Sequence, residues 1–419
     1  MPCVGSARAL LHSTTSVEPC MIEHPRRPSS LHTHSRLAES SSPQNVKPYW
    51  LGPTLLAVYV VASPYYVQRS GNAQPADFVL LVFLLSGFHL LPYRTKSITF
   101  YIGKPALFFA WYASIVSTFW SLYFSDFQVL RPALYYTFNA LVFVLFLAYI
   151  EQNWKKTKMV LAWGTSASII LLTLLSPLFA SDITWRQTLS FNNPNQLGYY
   201  AIVCLSIHIL SSKDIGLPAP VAILTTLCAS YLASLSLSSG AMLGLLLLAI
   251  PAVVFRHKEL LVAFAIALSL VLAGTATTIV EDPLTRIERI GDHEDDSLVG
   301  RRYDRIVSDP IHLLLGAGEW TDNHHGFERT GEMHSTWGTI AFSYGLPGAV
   351  AFIVLFGRII RSGTPPARLL YLAPAAFYGL THQGLRSTLF WMLIAVVPVI
   401  DEAKRSPNVV QNRNTRWRP

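Results

Sequence analysis

Residues 129–180 read VLRPALYYTFNALVFVLFLAYIEQNWKKTKMVLAWGTSASIILLTLLSPLFA, two apolar runs at 129–150 and 158–180 separated by a polar segment with Lys155 and Lys156. A bilayer core about 30 Å thick needs roughly 20 apolar residues per helix, so each run has the length of one crossing. The rest of the chain repeats this pattern. Twelve spans are predicted, at 49–68, 76–93, 104–124, 129–150, 158–180, 195–211, 218–237, 239–255, 259–280, 334–357, 367–382 and 386–401. The seventh and eighth are separated only by a tight turn at Ser238, Ser239 and Gly240.

Composition supports the same class. Of 419 residues 51% are hydrophobic and 13% charged, with a mean hydropathy of +0.37, whereas a water-soluble chain carries about 25% charged residues. The net charge of +8 comes from small clusters between apolar runs, without the basic stripe and interleaved aromatics of a nucleic-acid surface. Cys3 and Cys20 fall in a polar tail and Cys204 and Cys228 in apolar runs, a pattern that suggests neither a disulfide framework nor a zinc site.

The basic residues set a predicted orientation, because cytoplasmic loops collect Lys and Arg. With both termini cytoplasmic, the inner loops hold Arg94, Lys96, Lys104, Lys155, Lys156, Lys158, Lys213, Arg256, Lys258, Arg358, Arg361 and Arg368. The short outer loops hold only Arg69, Arg131, Arg186 and Arg386. The expected organisation is a disordered tail at 1–48, spans one to nine within 49–280, an outward loop at 281–333, spans ten to twelve within 334–401 and a cytoplasmic tail at 402–419. The long loop holds 13 of the chain's 24 acidic residues and six arginines but no lysine. Within it, Ser297 to Ser308 can form a helix that Asp309 and Pro310 end, before a turn at Gly316, Ala317 and Gly318.

Outward arginines that defy the positive-inside bias are candidates for a phosphorylated ligand, because the guanidinium presents paired donors to phosphate oxygens. Arg301 and Arg305, at i and i+4, would share a helix face. Arg186 before the sixth span and Arg386 at the start of the last can converge on them, and Arg302 lies between. The opposing reading pairs these arginines with the loop's carboxylates. His334, which opens the tenth span, has the pKa range of a general base; its opposing reading is an interfacial hydrogen-bonded histidine. Asp322, His324, His325, Glu328 and Glu332 match no metal-ligand spacing and read as a solvated loop. In Phe191-Asn192-Asn193-Pro194-Asn195-Gln196-Leu197-Gly198, Asn193 and Asn195 flank a proline that opens a helix. They serve as caps or as amides for sugar hydroxyls. His89 and His208, inside apolar runs, read as packing residues.

Taken in order, these segments resemble the O-antigen ligase and polymerase superfamily of bacterial envelope glycosyltransferases. The Phe191–Gly198 segment is similar to that family's Asn-Pro-Asn helix entry. Gly300-Arg301 with Asp309-Pro310 and Leu315-Gly316-Ala317-Gly318 resembles its loop motif. His334-Ser335, nine residues, then Gly345-Leu346-Pro347-Gly348 resembles its His signature, and Arg386-Ser387 with Phe390-Trp391 the start of its last helix. One departure is Ser239, where many members carry arginine; Arg186 is the candidate to replace it.

The resemblance implies an all-α polytopic inner-membrane protein of about twelve transmembrane helices with one large, partly helical periplasmic loop. It implies transfer of a glycan from undecaprenyl diphosphate to an acceptor hydroxyl, inverting and without metal or cofactor. The acceptor is the lipid A core for a ligase, or a growing glycan for a repeat-unit or exopolysaccharide polymerase. His334, Arg301 and Arg186 would carry catalysis, with Arg302, Arg305, Arg386, Asn193 and Asn195 binding substrate. No nucleic-acid partner is expected. A transporter of the same lipid-linked sugars is the reading from a different class; it predicts paired broken helices in both halves.

Overall fold

The computed structural model describes residues 51–68, 72–88, 98–179, 187–212, 215–254, 258–275, 299–327 and 331–402. The predicted tail at 1–48, all of the predicted tail at 402–419 except its first residue, His89, Arg186, Glu328 and the segment 276–298 lie outside them. Every regular element among the described residues is helical. In chain order these are α1 (Leu51–Ala62), α2 (Pro75–Gly87), α3 (Ile98–Phe124), α4 (Arg131–Phe179), α5 (Pro194–Ser212), α6 (Ala219–Leu235), α7 (Ser239–Val254) and α8 (Lys258–Thr275). Then follow α9 (Asp304–Ser308), α10 (His312–Leu315), α11 (Thr336–Ser343), α12 (Gly345–Arg361), α13 (Pro366–Leu369), α14 (Ala373–Thr381) and α15 (Thr388–Glu402).

Local chemistry sets the helix starts. Pro75 occupies the first turn of α2, where its missing N–H costs nothing, and the Gln74 amide donates to the Asp77 carboxylate at 2.8 Å. The Gln74 side-chain oxygen accepts from Val67 and Gln68 N–H, which ties the exit of α1 to the start of α2. α5 begins at Pro194, with the Asn193 side chain capping the Asn195 N–H at 2.8 Å. Two residues of the predicted turn, Ser239 and Gly240, begin α7 itself, and the break from α6 lies at Ser236–Ser238, with Leu237 in the left-handed region at φ 47°.

Among the described residues three stretches are long and apolar enough to cross a membrane: Thr99–Phe124, Phe127–Glu151 and Trp154–Phe179. The last two correspond to the fourth and fifth predicted spans, yet no loop divides them. α4 runs unbroken for 49 residues, because Glu151-Gln152-Asn153-Trp154-Lys155-Lys156 contains neither Gly nor Pro and nothing stops the helix. It is not straight. Gly52 lies against the Tyr149 ring, and Ser168 donates to the Val60 carbonyl at 2.7 Å. Tyr149 and Ser168 would be about 28 Å apart along a straight helix, whereas Gly52 and Val60 are about 12 Å apart in α1. α4 therefore bends between its halves and packs both on α1.

α4 is also the hub of the core, touching α3, α5, α6 and α15. Phe143 and Trp391 meet at 5.8 Å, and both are buried completely. α5 is buried along nearly its whole length. There His208 has its Nδ1 3.1 Å from Ser166 Oγ and 3.2 Å from the Ala162 carbonyl, the position of a packing residue.

The tenth predicted span is broken. α11 ends at Ser343, Gly345 takes φ +58°, and α12 continues in a new direction. A helix end leaves carbonyls without partners. Here the loop supplies them: Ala317 N–H donates to the Phe342 carbonyl and Gly318 N–H to the Ser343 carbonyl, both at 2.9 Å. Gly316 allows the approach, since at φ +98° a Cβ would fall 2.5 Å from the Ser343 carbonyl oxygen. The helix predicted over 297–308 is shorter than expected, only Asp304–Ser308. Arg302 at φ +67° turns the chain before it.

Candidate functional site

The start of α11 is fastened to the end of α14. Ser335 caps α11 by accepting from Gly338 N–H at 2.9 Å, and its hydroxyl donates to the Gly379 carbonyl. Thr336 donates to the His382 carbonyl at 3.0 Å and accepts from Gly384 N–H at 2.8 Å, while Trp337 donates to the Ala376 carbonyl. The Tyr303 hydroxyl, from the loop, sits 2.5 Å from Ser335 Oγ and 2.7 Å from the Leu380 carbonyl.

On this framework His334 is exposed. Its amide donates to the Arg301 carbonyl at 3.3 Å, and the Arg301 guanidinium donates to the Thr381 carbonyl. Beside Thr381, the His382 ring stacks on Tyr378 at 4.4 Å, with Nδ1 2.8 Å from Thr381 Oγ1. The Tyr378 hydroxyl donates to the Asn195 carbonyl. Thus His334, Arg301 and the Asn193–Asn195 entry of α5 all gather at the end of α14. The cluster holds an imidazole and a permanent cation, the two kinds of group needed to move a proton and stabilise a developing anion.

Arg301 and Arg305 do not share a helix face. The left-handed turn at Arg302 leaves Arg301 outside α9, whereas Arg305 lies within it. Arg305 is buried to 3% exposure and ion-paired with Asp322, donates to the Gly331 carbonyl at 2.9 Å and stands over the Phe327 ring. Burial pushes the Asp322 carboxyl above its usual range in spite of the adjacent guanidinium. The Arg302 guanidinium donates to the Val299 and Gly300 carbonyls, both at 3.3 Å.

Arg386 is likewise held by carboxylates. It pairs with Glu319 and, at 3.0 Å, with Glu332, and its guanidinium lies 5.3 Å from the Trp320 ring. Glu319 also accepts from the Tyr136 and Tyr344 hydroxyls, and Glu332 from Trp320. Asn139 completes the anchorage: its amide donates to the Arg386 carbonyl at 3.0 Å, and its oxygen accepts from Thr388 at 2.7 Å. Arg305 and Arg386 line a narrow crevice together with Glu319, Thr339 and Phe342.

Sequence reading missed His382, Trp320, Tyr136 and Tyr344; Glu332 was read as part of a solvated loop, and the pairing of Arg386 with Glu319 and Glu332 is the opposing reading of the loop arginines. Tyr136 and Tyr344 carried a signal, as polar tips inside apolar runs that require a partner when buried. His324 lies 3.1 Å from Asp126 and His325 3.0 Å from the Ala317 carbonyl. Among the described residues no three His, Cys, Asp or Glu side chains converge as metal ligands. No protein-family model matches the chain, and no curated protein matches it.

Proposed function

We propose that this chain is a twelve-span inner-membrane glycosyltransferase of the ligase type, with both termini cytoplasmic and its chemistry on the periplasmic side. The observation that carries the reading is the meeting of His334 and Arg301 at the end of α14. The acceptor hydroxyl oxygen attacks the anomeric carbon of the glycan as the bond to the diphosphate oxygen breaks. His334 takes the hydroxyl proton, and undecaprenyl diphosphate departs with the bonding electrons. Arg301, with Arg186, stabilises the charge that grows on the diphosphate, where fixed cations act without reorganisation. Arg302, Asn193 and Asn195 bind donor or acceptor. Arg305 and Arg386 act by holding the loop that presents Arg301, through their carboxylate pairs.

The deciding experiment uses protein reconstituted in lipid with an undecaprenyl-diphosphate repeat unit, first alone and then with lipid A core. Product only after addition of the core supports ligation. A ladder from the donor alone reassigns the chain to polymerisation. Movement of donor across the bilayer without product, by protein shown to be folded, favours transport. The sealing of the α11–α12 break by Ala317 and Gly318 weighs against that last reading, because a transport site would leave those carbonyls to its ligand.

A further inference from the structure

The loop elbow around α10 exposes apolar side chains: Ile311 is 67% exposed, Leu314 56% and Leu315 71%. Two hydrogen bonds fix its level. The Tyr112 hydroxyl donates to the Leu315 carbonyl at 2.8 Å, and Trp120 Nε1 to the Gly316 carbonyl at 3.0 Å. Tyr112 lies about 18 Å and Trp120 about 6 Å before the end of α3 at Phe124, so the elbow is held between those two levels of a stretch long and apolar enough to cross a membrane. At this level α3 itself exposes Phe108, Trp111, Ile115 and Phe119. The elbow therefore continues a face that acyl chains cover.

The backbone meets the demand of that environment. Lipid offers no hydrogen bonds, so irregular chain survives there only when its polar groups are satisfied within the protein. Pro310 has no N–H. Leu313 N–H donates to the Pro310 carbonyl at 3.0 Å, Leu314 N–H to Ile311 at 3.1 Å and Gly316 N–H to His312 at 2.8 Å. The outward carbonyls of Leu315 and Gly316 are those taken by Tyr112 and Trp120. Ser308 and Asp309, bonded to each other at 2.7 Å, precede the elbow and belong at headgroup level.

We propose that Ile311–Leu315 is a re-entrant elbow seated in the outer half of the bilayer, its exposed face covered by the acyl chains of membrane lipid. The inference rests on α3 crossing the membrane. To test it, the full chain is placed one copy per lipid nanodisc, without donor, using phospholipid with a diazirine in its acyl chain. After photolysis, labelled peptides are mapped, and a parallel sample is oxidised by hydroxyl radicals. The expected result is acyl-chain label on Ile311, Leu314 and Leu315 comparable to that on Phe108, Trp111 and Ile115, and radical oxidation but no label around Asn323. Label on α3 with none on the elbow overturns the proposal while leaving α3 in the membrane. Absence of label from both overturns the membrane reading itself. Loss of the elbow's label on adding undecaprenyl diphosphate assigns the face to a polyprenyl chain instead.

Discussion

Glu319 and Arg386, 67 positions apart, form an ion pair that joins the acidic loop to the entry of α15. The Glu319 side chain is 5% exposed, and that of Arg386 22%. Removing one partner of a buried pair costs about 3–5 kcal/mol, because the remaining charge stays buried. Arg386 keeps Glu332, so Glu319→Gln is expected to cost less, about 2 kcal/mol. Glu332 is 36% exposed, and Glu332→Gln is expected to cost about 0.5 kcal/mol. Thermal unfolding in detergent should rank the two variants in that order. The reverse order would show that the loop hangs on Glu332.

A second prediction concerns the sealed helix break. Gly316 at φ +98° has a backbone oxygen 2.5 Å from where a Cβ would sit, so Gly316→Ala adds a clash to a conformation that L residues avoid. The expected cost is on the order of 3 kcal/mol. Gly326 also has positive φ, at +69°, but nothing lies within 4 Å, so Gly326→Ala should cost only about 1 kcal/mol. Equal thermal midpoints for the two variants would mean that Gly316 does not need its close approach to Ser343.

These two sites mark the limit of what the sequence made legible. Apolar run lengths gave helical elements near most of the predicted spans, and Pro194 and the Ser/Gly segment placed helix starts within a residue or two, since these signals act locally. The continuity of α4 was hidden because a polar segment resembles a loop unless one notices that it lacks a breaker. The split at Gly345 was hidden for the opposite reason: its cause, the Gly316–Gly318 backbone, lies some 30 residues away. In the site, His334 and Arg301 were named individually. The partner that gathers them, the end of α14, had no marker, because it contributes the Thr381 carbonyl and His382.

A third prediction is pH dependence of the loop. Burial holds the His325 imidazole below its ordinary value of 6.5, outweighing the raising effects of the Ala317 carbonyl, Asp322 and Asp309. His312, at 4.7 Å ring to ring, and His324 also face it, beside Trp120, Phe124 and Phe327. Asp126, which pairs with His324, is held below its usual range by that contact and stays ionised through the same interval. The unfolded loop thus binds a proton at His325 that the folded loop excludes. Its contribution is present above pH 6.5 and lost as pH falls below it. Hydrogen exchange over 312–327, corrected for intrinsic rates, should speed up between pH 7 and pH 5. His325→Gln should remove much of that dependence, and an unchanged profile would exonerate His325.

The last prediction separates chemistry from architecture at His334. Its amide donates to the Arg301 carbonyl, and alanine retains that amide, so His334→Ala should preserve the register between loop and α11. What alanine removes is the exposed imidazole. Loss of a general base slows turnover by about 10²–10⁴-fold, and the expected signature is a fall in kcat with little change in donor KM. Arg301→Lys keeps the charge but loses the planar donor pair that fits diphosphate oxygens. Because Arg301 is also bonded to Thr381, its rate must be read beside a melting curve, whereas His334→Ala needs only the wild-type midpoint as its control. Full transfer activity in folded His334→Ala would take the proton-accepting role away from this residue and turn attention to His382, the other imidazole at the end of α14.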